Sequence, residues 1–458
     1  MTGAADTLAR DPAAPAESHL FYQAHGTRPF IDRAEGIWMY GQDGKSYMDA
    51  ASGAMVCNIG HSNPRVIAAM KEQLDRCTFA YRLQFQSEAS EGLAAEIARL
   101  MPAGLDKVFF VSGGSEAVET CLKFARQWAI AVGQGSRYKV ISRFPSYHGC
   151  TLGALAVTGY TPLSAPFDPM MRAMPKITTP RQYLDGRGED PDAYGRRMAD
   201  LLEEEILRQG PETVLAFIME PVGGASTGAV VAPDTYYPRI REICDKYGVL
   251  LIYDEVMTGV GRTGRFLAAE HWGITPDLVA MSKGFAAGYA PLGAMIAPGR
   301  MVRQVLDAGG FAHGHTYAGN PIACAAGRAV VREIVEQDLS TNAACMGERQ
   351  MAGLQALMAE FPFVGDVRGK GLLQAMELVA DKETLAVLPK ELNAASRLVD
   401  LAYERGLIIY FRRTRGGAEG DHVMITPPLT ITPAEVDEML DRLRGALRAL
   451  HKEIAGRY

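Results

Sequence analysis

Residues 250–284 read LLIYDEVMTGVGRTGRFLAAEHWGITPDLVAMSKG. Two short apolar runs flank this stretch, Val249–Tyr253 and Leu278–Met281, and each ends close to a charged side chain, Asp254 and Lys283. Apolar runs this short, bounded by turn signals, read as strands buried on both faces. The same pattern recurs outward along the chain in VFFV (108–111), KVIS (139–142), VLAFIME (214–220), VLLIYDE (249–255), DLVAMS (277–282) and GAMIA (293–297). Amphipathic stretches lie between these runs. In Ser115–Val132, for instance, Val118, Cys121, Leu122, Ala125, Trp128 and Ala129 recur at helical spacing. Strand–helix alternation of this kind predicts an α/β fold with a mainly parallel sheet flanked by helices.

The flanking regions suggest how the rest is organised. Residues 1–20 form an Ala/Pro/acid-rich segment, read as a flexible tail. Residues 21–62 include GIWMYGQDGKSYMDA (36–50), two short strands around a Gln42-Asp43-Gly44 turn, expected to join a small domain. Residues 63–325 make up the large domain, which opens with a helix-rich stretch to about Leu100. Residues 326–458 form the rest of a smaller α+β domain, with strands at Val364–Leu378, Gly406–Phe411 and His422–Thr426 and a terminal helix at Pro433–His451.

Composition narrows the function classes. The 458 residues carry a formal charge of −6 and a pI near 5.9, which offers no electrostatic footprint for nucleic acid. Seven cysteines, widely spaced and without a C-x-x-C, argue against a disulfide framework or zinc ribbon and for a reducing, cytoplasmic setting; no metal site is expected. No apolar run reaches membrane-spanning length. Neither a G-x-x-x-x-G-K-[ST] nor, after the first large-domain strand, a G-x-G-x-x-G is present, so nucleotide P-loop and NAD-dehydrogenase readings fail.

In open α/β sheets ligands gather at the carboxyl ends of strands. Five predicted strands end there in suggestive residues: Ser112-Gly113-Gly114-Ser115, Tyr147-His148-Gly149, Glu220, Asp254 and Lys283. The Ser112–Ser115 turn precedes a helix, so its N–H groups can cradle a phosphate, and it reads equally as a plain helix cap. Taken alone, Asp254 reads as a structural acid satisfied by backbone amides. Paired with Lys283 it suits pyridoxal phosphate chemistry, in which the lysine holds an aldehyde cofactor as an imine and the acid keeps a ring nitrogen protonated. Val256 and Tyr147 are placed to press on the two ring faces.

These motifs together resemble the class III pyridoxal-phosphate-dependent aminotransferases of fold type I. DEVMTGVGRTG (254–264), SKG (282–284), PLGA (291–294), SGGSEAVETCLKFAR (112–126), SYHG (146–149), MEPVGGASTG (219–228), HTYAGNP (315–321) and VRGKGLL (367–373) follow the family's order. The resemblance implies the cofactor pyridoxal 5'-phosphate and a homodimer with active sites at the subunit interface. It implies Lys283 as the cofactor-bearing lysine, Asp254 as the pyridinium partner, Val256 against the ring, Tyr147 stacked with His148 beside it, Gly114 and Ser115 in the phosphate turn, and Glu220 on the cofactor's hydroxyl side. Thr316 is expected to reach the phosphate from the neighbouring subunit.

Within the class, PPLTITPAEVDEMLDRL (427–443) places the chain nearest the omega-amino acid or amine:pyruvate branch. The expected substrates are an amine donor and a keto acid, with a ping-pong sequence. Transamination of β-alanine, 4-aminobutyrate, taurine or a diamine, an aminomutase, or a non-catalytic protein on the same fold are the alternatives. Tyr22, Met55, Tyr81, Phe85 and Tyr147 are candidate pocket-lining residues, and all five could equally be ordinary packing. Many relatives carry Trp at the place of Met55. A carboxylate-gripping arginine is expected in FRRTRGGAEGDH (411–422), from Arg412, Arg413 or Arg415, with Arg415 favoured.

Overall fold

A computed structural model describes residues 19–22 and 28–457. Most of the tail expected over residues 1–20 lies outside these. Three N-terminal strands, β1 (Ile31–Glu35), β2 (Trp38–Gly41) and β3 (Ser46–Asp49), form antiparallel pairs, and β2 and β3 flank the expected Gln42-Asp43-Gly44 turn. Seven strands then make the main sheet: β4 (Leu105–Val111), β5 (Lys139–Phe144), β6 (Lys176–Thr178), β7 (Val214–Met219), β8 (Leu250–Asp254), β9 (Leu278–Met281) and β10 (Gly293–Pro298). Their order is β4-β10-β9-β8-β7-β5-β6, and only β10 runs antiparallel to its neighbours. The expected α/β class and mainly parallel sheet are observed.

β7, β8 and β9 are buried along their whole length, as continuous apolar runs in a doubly covered sheet must be. One covering element is the helix Gly114–Ala131, which buries Val118, Cys121, Phe124, Ala125 and Ala129 against the sheet. Burying each large apolar side chain of this kind contributes roughly 1.5–3 kcal/mol.

The C-terminal strands are β11 (Val364–Lys370), β12 (Leu373–Leu378), β13 (Leu407–Ile408), β14 (Tyr410–Arg412) and β15 (Asp421–Ile425). β11-β12-β15-β14 form an antiparallel sheet, whereas β13 pairs in parallel with β3. The single strand expected over Gly406–Phe411 is thus two. The chain passes from one sheet to the other at Ile409, which is itself buried. The last helix, Pro433–Ile454, starts in a Thr432/Glu435 capping box and buries Val436, Met439, Leu440, Leu443, Leu447 and Leu450 along one face. Among the described residues no helix is long and apolar enough to cross a membrane.

Candidate active site

A cleft of about 140 Å³ opens at the carboxyl ends of β4, β5, β7, β8 and β9. Gly114, Ser115, Tyr147, His148, Glu220, Asp254, Val256 and Lys283 all line it. They are 169 residues apart at the extremes (114 to 283), and adjacent strand ends bring them together. Asp254 pairs with Ala280 across β8 and β9, and Lys283 follows three residues later.

Asp254 closes the buried end of the cleft. One carboxylate oxygen accepts from Val256 N–H at 3.1 Å, and the other meets His148 Nδ1 at 2.8 Å. Nδ1 therefore carries the proton facing the acid. His148 Nε2 is buried without a partner. Burial pulls the Lys283 amine down to about 8, and the negative charges of Asp254 and Glu220 draw it part of the way back. Lys283 also sits at φ +49, a left-handed conformation that costs a non-glycine residue roughly 1 kcal/mol. Such strain is stored where neighbours dictate the direction of a side chain.

Glu220 accepts from Tyr147 N–H at 3.2 Å and from Gly224 N–H at 2.9 Å, so it fixes the backbone beneath Tyr147. Burial raises its carboxyl above the usual range, offset by His148 and Arg143. At the opposite end the helix Gly114–Ala131 begins with no side-chain cap, leaving its first N–H groups directed at the cleft. Ser112 differs from expectation, because its N–H is committed to the Glu116 carboxylate at 2.7 Å and it does not line the cleft. Gly114 is required by close approach: a Cβ there would lie 2.9 Å from Val256 Cγ1.

The other expected residues fall elsewhere. Met55 is buried behind the cleft, in a cluster with Val222 and Met257, two of its lining residues. Tyr22, Tyr81, Phe85 and Thr316 are exposed and none lines the cleft. The segments bearing Tyr81, Phe85 and Thr316 meet on one face, where Phe79 packs edge-on against Tyr317 at 5.9 Å and Asn320 reaches Thr78 O. Arg415 is turned away: it donates to Leu385 O at 2.9 Å and lies 3.8 Å from Glu419. Arg413 reaches Asn393. Arg412 projects from β14, with its guanidinium 5.1 Å from the Tyr410 ring centroid, and its charge acts on both Tyr147 and Tyr160.

Sequence reasoning missed several contributors. Arg143 is buried and holds the Glu220 carbonyl. Val222, Met257 and Thr258 complete the walls. Glu255, beside Asp254, is pushed up to about 7 by burial and binds Thr258 and the Ala268 and Ala269 amides. An acid doublet after an apolar run was the available signal for Glu255; the wall residues carried none. Away from the cleft, Asp49, Cys57 and His61 lie within 4.8 Å of one another. Asp49 already holds the Ala51 and Gly53 amides and His61, so its donor capacity is spent.

The class-III aminotransferase family model matches residues 22–447. An uncharacterized aminotransferase of Bacillus subtilis, YodT, is 38% identical over 428 residues, spanning 93% of this chain and 96% of that protein. A putrescine–pyruvate aminotransferase of Pseudomonas aeruginosa is 34% identical over 420 residues, 91% and 90% of the two chains. The crystal structure of an (S)-enantioselective omega-transaminase from Thermomicrobium roseum superposes with a TM-score of 0.89 at 37% identity, covering 94% of this chain and 96% of that one. Pyridoxal 5'-phosphate is the cofactor of this class. The cleft suits it: an uncapped helix start for an anion, a buried acid for a cationic ring, and an amine held close to neutrality between them.

Proposed function

The chain belongs to the class-III aminotransferases, and from that premise we propose that it moves an amino group from an amine or ω-amino acid to pyruvate in a ping-pong sequence. The observation that carries this reading is the convergence of Lys283, the Asp254–His148 pair and the uncapped helix start on one cleft. Likeness to the omega-transaminase and to the putrescine–pyruvate enzyme supports the choice of substrates.

When bound, pyridoxal phosphate supplies an electron-poor ring that takes up the electron pair released as the donor's C–H bond breaks. Lys283 Nζ is the amine that would hold the cofactor and would carry the proton away from the donor carbon. Its depressed pKa leaves a usable fraction neutral at physiological pH. Asp254, oriented by His148 and Val256 N–H, keeps the ring nitrogen protonated. The N–H groups from Gly114 and the Ser115 hydroxyl hold the phosphate. Tyr147 and Val256 would flank the ring, Glu220 holds the backbone beneath Tyr147, and Met257 and Val222 supply apolar wall.

Arg412, rather than Arg415, takes the carboxylate of the keto acid or ω-amino acid, since its guanidinium lies 5.1 Å from the ring of Tyr410, which packs with the cleft residues Val222 and Met257, while Arg415 is tied to Leu385. A second copy of the chain completes the pocket. Its exposed face bearing Tyr81, Phe85 and Thr316 would cover the cleft and bring Thr316 to the phosphate, with Tyr22 bordering the substrate space and Met55 backing the Val222–Met257 wall. A diamine donor is the second reading, favoured by the putrescine–pyruvate relative.

The test is the visible spectrum of the purified holoenzyme under a panel of amines. A band that bleaches with donor and returns with pyruvate supports the proposal. Return with 2-oxoglutarate alone reassigns the acceptor. Amine turnover that needs no acceptor would reject transamination in favour of a mutase.

A further inference from the structure

Behind Arg412 lies a buried polar cluster that the reaction itself does not use. Arg368 on β11 donates to Asp366 at 2.8 Å, to Glu377 at 2.6 Å, and to the carbonyls of Gly228 at 2.6 Å and Thr227 at 3.0 Å. Its guanidinium lies 4.1 Å from the Tyr183 ring centroid. Glu377 on β12 is 4% exposed, and its second oxygen accepts the Thr414 hydroxyl at 2.9 Å. Thr414, 1% exposed, closes the 413–420 loop by donating its N–H to Gly420 O at 3.2 Å. Gly420 must be glycine, since a Cβ there would sit 2.0 Å from Thr414 Oγ1.

The cluster joins two things that bear on the substrate. Thr227 and Gly228 belong to the segment that follows Glu220, and Gly224 in that segment donates to the Glu220 carboxylate supporting Tyr147. Thr414 lies two residues after Arg412 and directly follows Arg413, whose carbonyl accepts from Tyr160 OH at 3.1 Å. A hydroxyl bound to a buried carboxylate that is itself clamped by a guanidinium is a fixed point, because each partner is desolvated.

We propose that Glu377 and Thr414 are positioning residues that set the reach of Arg412, over Tyr410, toward the cleft, and so the enzyme's preference for carboxylate-bearing over carboxylate-free substrates. This rests on the reading of Arg412 as the carboxylate-binding arginine. Neither residue touches substrate. Thr414 holds the loop root, and Glu377 holds Thr414. Loss of that bond frees the root, so the guanidinium spends less time where a carboxylate arrives. Substrates without a carboxylate do not sense the change.

The experiment follows return of the visible band after the holoenzyme has been aminated, with pyruvate or butanal as acceptor. Thr414→Val removes the hydroxyl and keeps the side-chain shape. It should raise KM for pyruvate about tenfold and leave butanal within about twofold. Thr414→Ser should restore the wild-type ratio. Arg412→Ala should abolish the discrimination, and adding Thr414→Val to it should change the ratio no further. Equal losses on both acceptors in Thr414→Val would make the bond merely structural and overturn the proposal. A normal ratio in Thr414→Val alongside a collapsed one in Arg412→Ala would overturn it while leaving Arg412 in its role. An unchanged ratio in Arg412→Ala would remove that role and the proposal with it.

Discussion

The floor of the cleft and its rim are built by different physics. On the floor, Asp254, His148, Glu220 and Lys283 are held by strand ends of one buried sheet, and each acid has its partners within the chain. The rim is the part proposed to form against a second copy: Tyr22, Tyr81, Phe85 and Thr316 stand exposed away from the cleft, and Arg412 hangs from a strand that leads into a loop. Rigid, desolvated elements carry steps that demand fixed charge. Exposed loops on a rigid scaffold are where choices among substrates are commonly made.

That contrast is open to direct attack, and the deepest floor residue should show the greatest loss. Lys283→Ala should cost about 10³-fold or more in turnover, while noncovalent cofactor binding survives in equilibrium dialysis. Appreciable turnover would relocate the proton carrier. Asp254→Asn should lower turnover about a hundredfold with the fold intact by circular dichroism, because it removes the charge that both His148 and the ring rely on. A modest loss would mean the acid is structural after all.

The lysine's ionisation gives a milder test. Only the neutral amine can attack an aldehyde, and burial sets its midpoint near 8 instead of its ordinary 10.5. Below that point most of the amine is protonated; above it most is free. Cofactor capture by the apoprotein, read from the growing visible band, should therefore rise about tenfold from pH 7 to pH 9 and then level off. A rise that continues toward pH 10.5 would show that the amine is solvated. Smallest of all, and on the rim, Thr316→Val should raise the cofactor's dissociation constant about fivefold. Sedimentation should find a dimer, and a fully active monomer would detach the rim from the site.

The floor was far more legible in sequence than the rim, for a physical reason. A strand buried on both faces must be apolar throughout, so a polar residue at its end, such as Asp254 or Lys283, stands out. The short edge strand Lys176–Thr178 had no such run to betray it. The switch of sheets at Ile409 left no mark either, since both halves are apolar. That Arg415 is tied to Leu385 O while the Arg412 guanidinium lies over the Tyr410 ring is a tertiary fact. The bond between His148 and Asp254 spans 106 residues, and only the sheet order reveals it.

One buried side chain has a wider consequence. Arg262, fully enclosed just beyond the Asp254 strand, donates to Pro427 O and Leu372 O and to the side chains of Asn58 and Ser52. It thereby rivets the N-terminal segment, the loop leaving the catalytic strand and the C-terminal sheet at one point. Removing that one guanidinium would strip a donor from Leu372 O, Pro427 O, Ser52 and Asn58 at once, loosening three parts of the chain together.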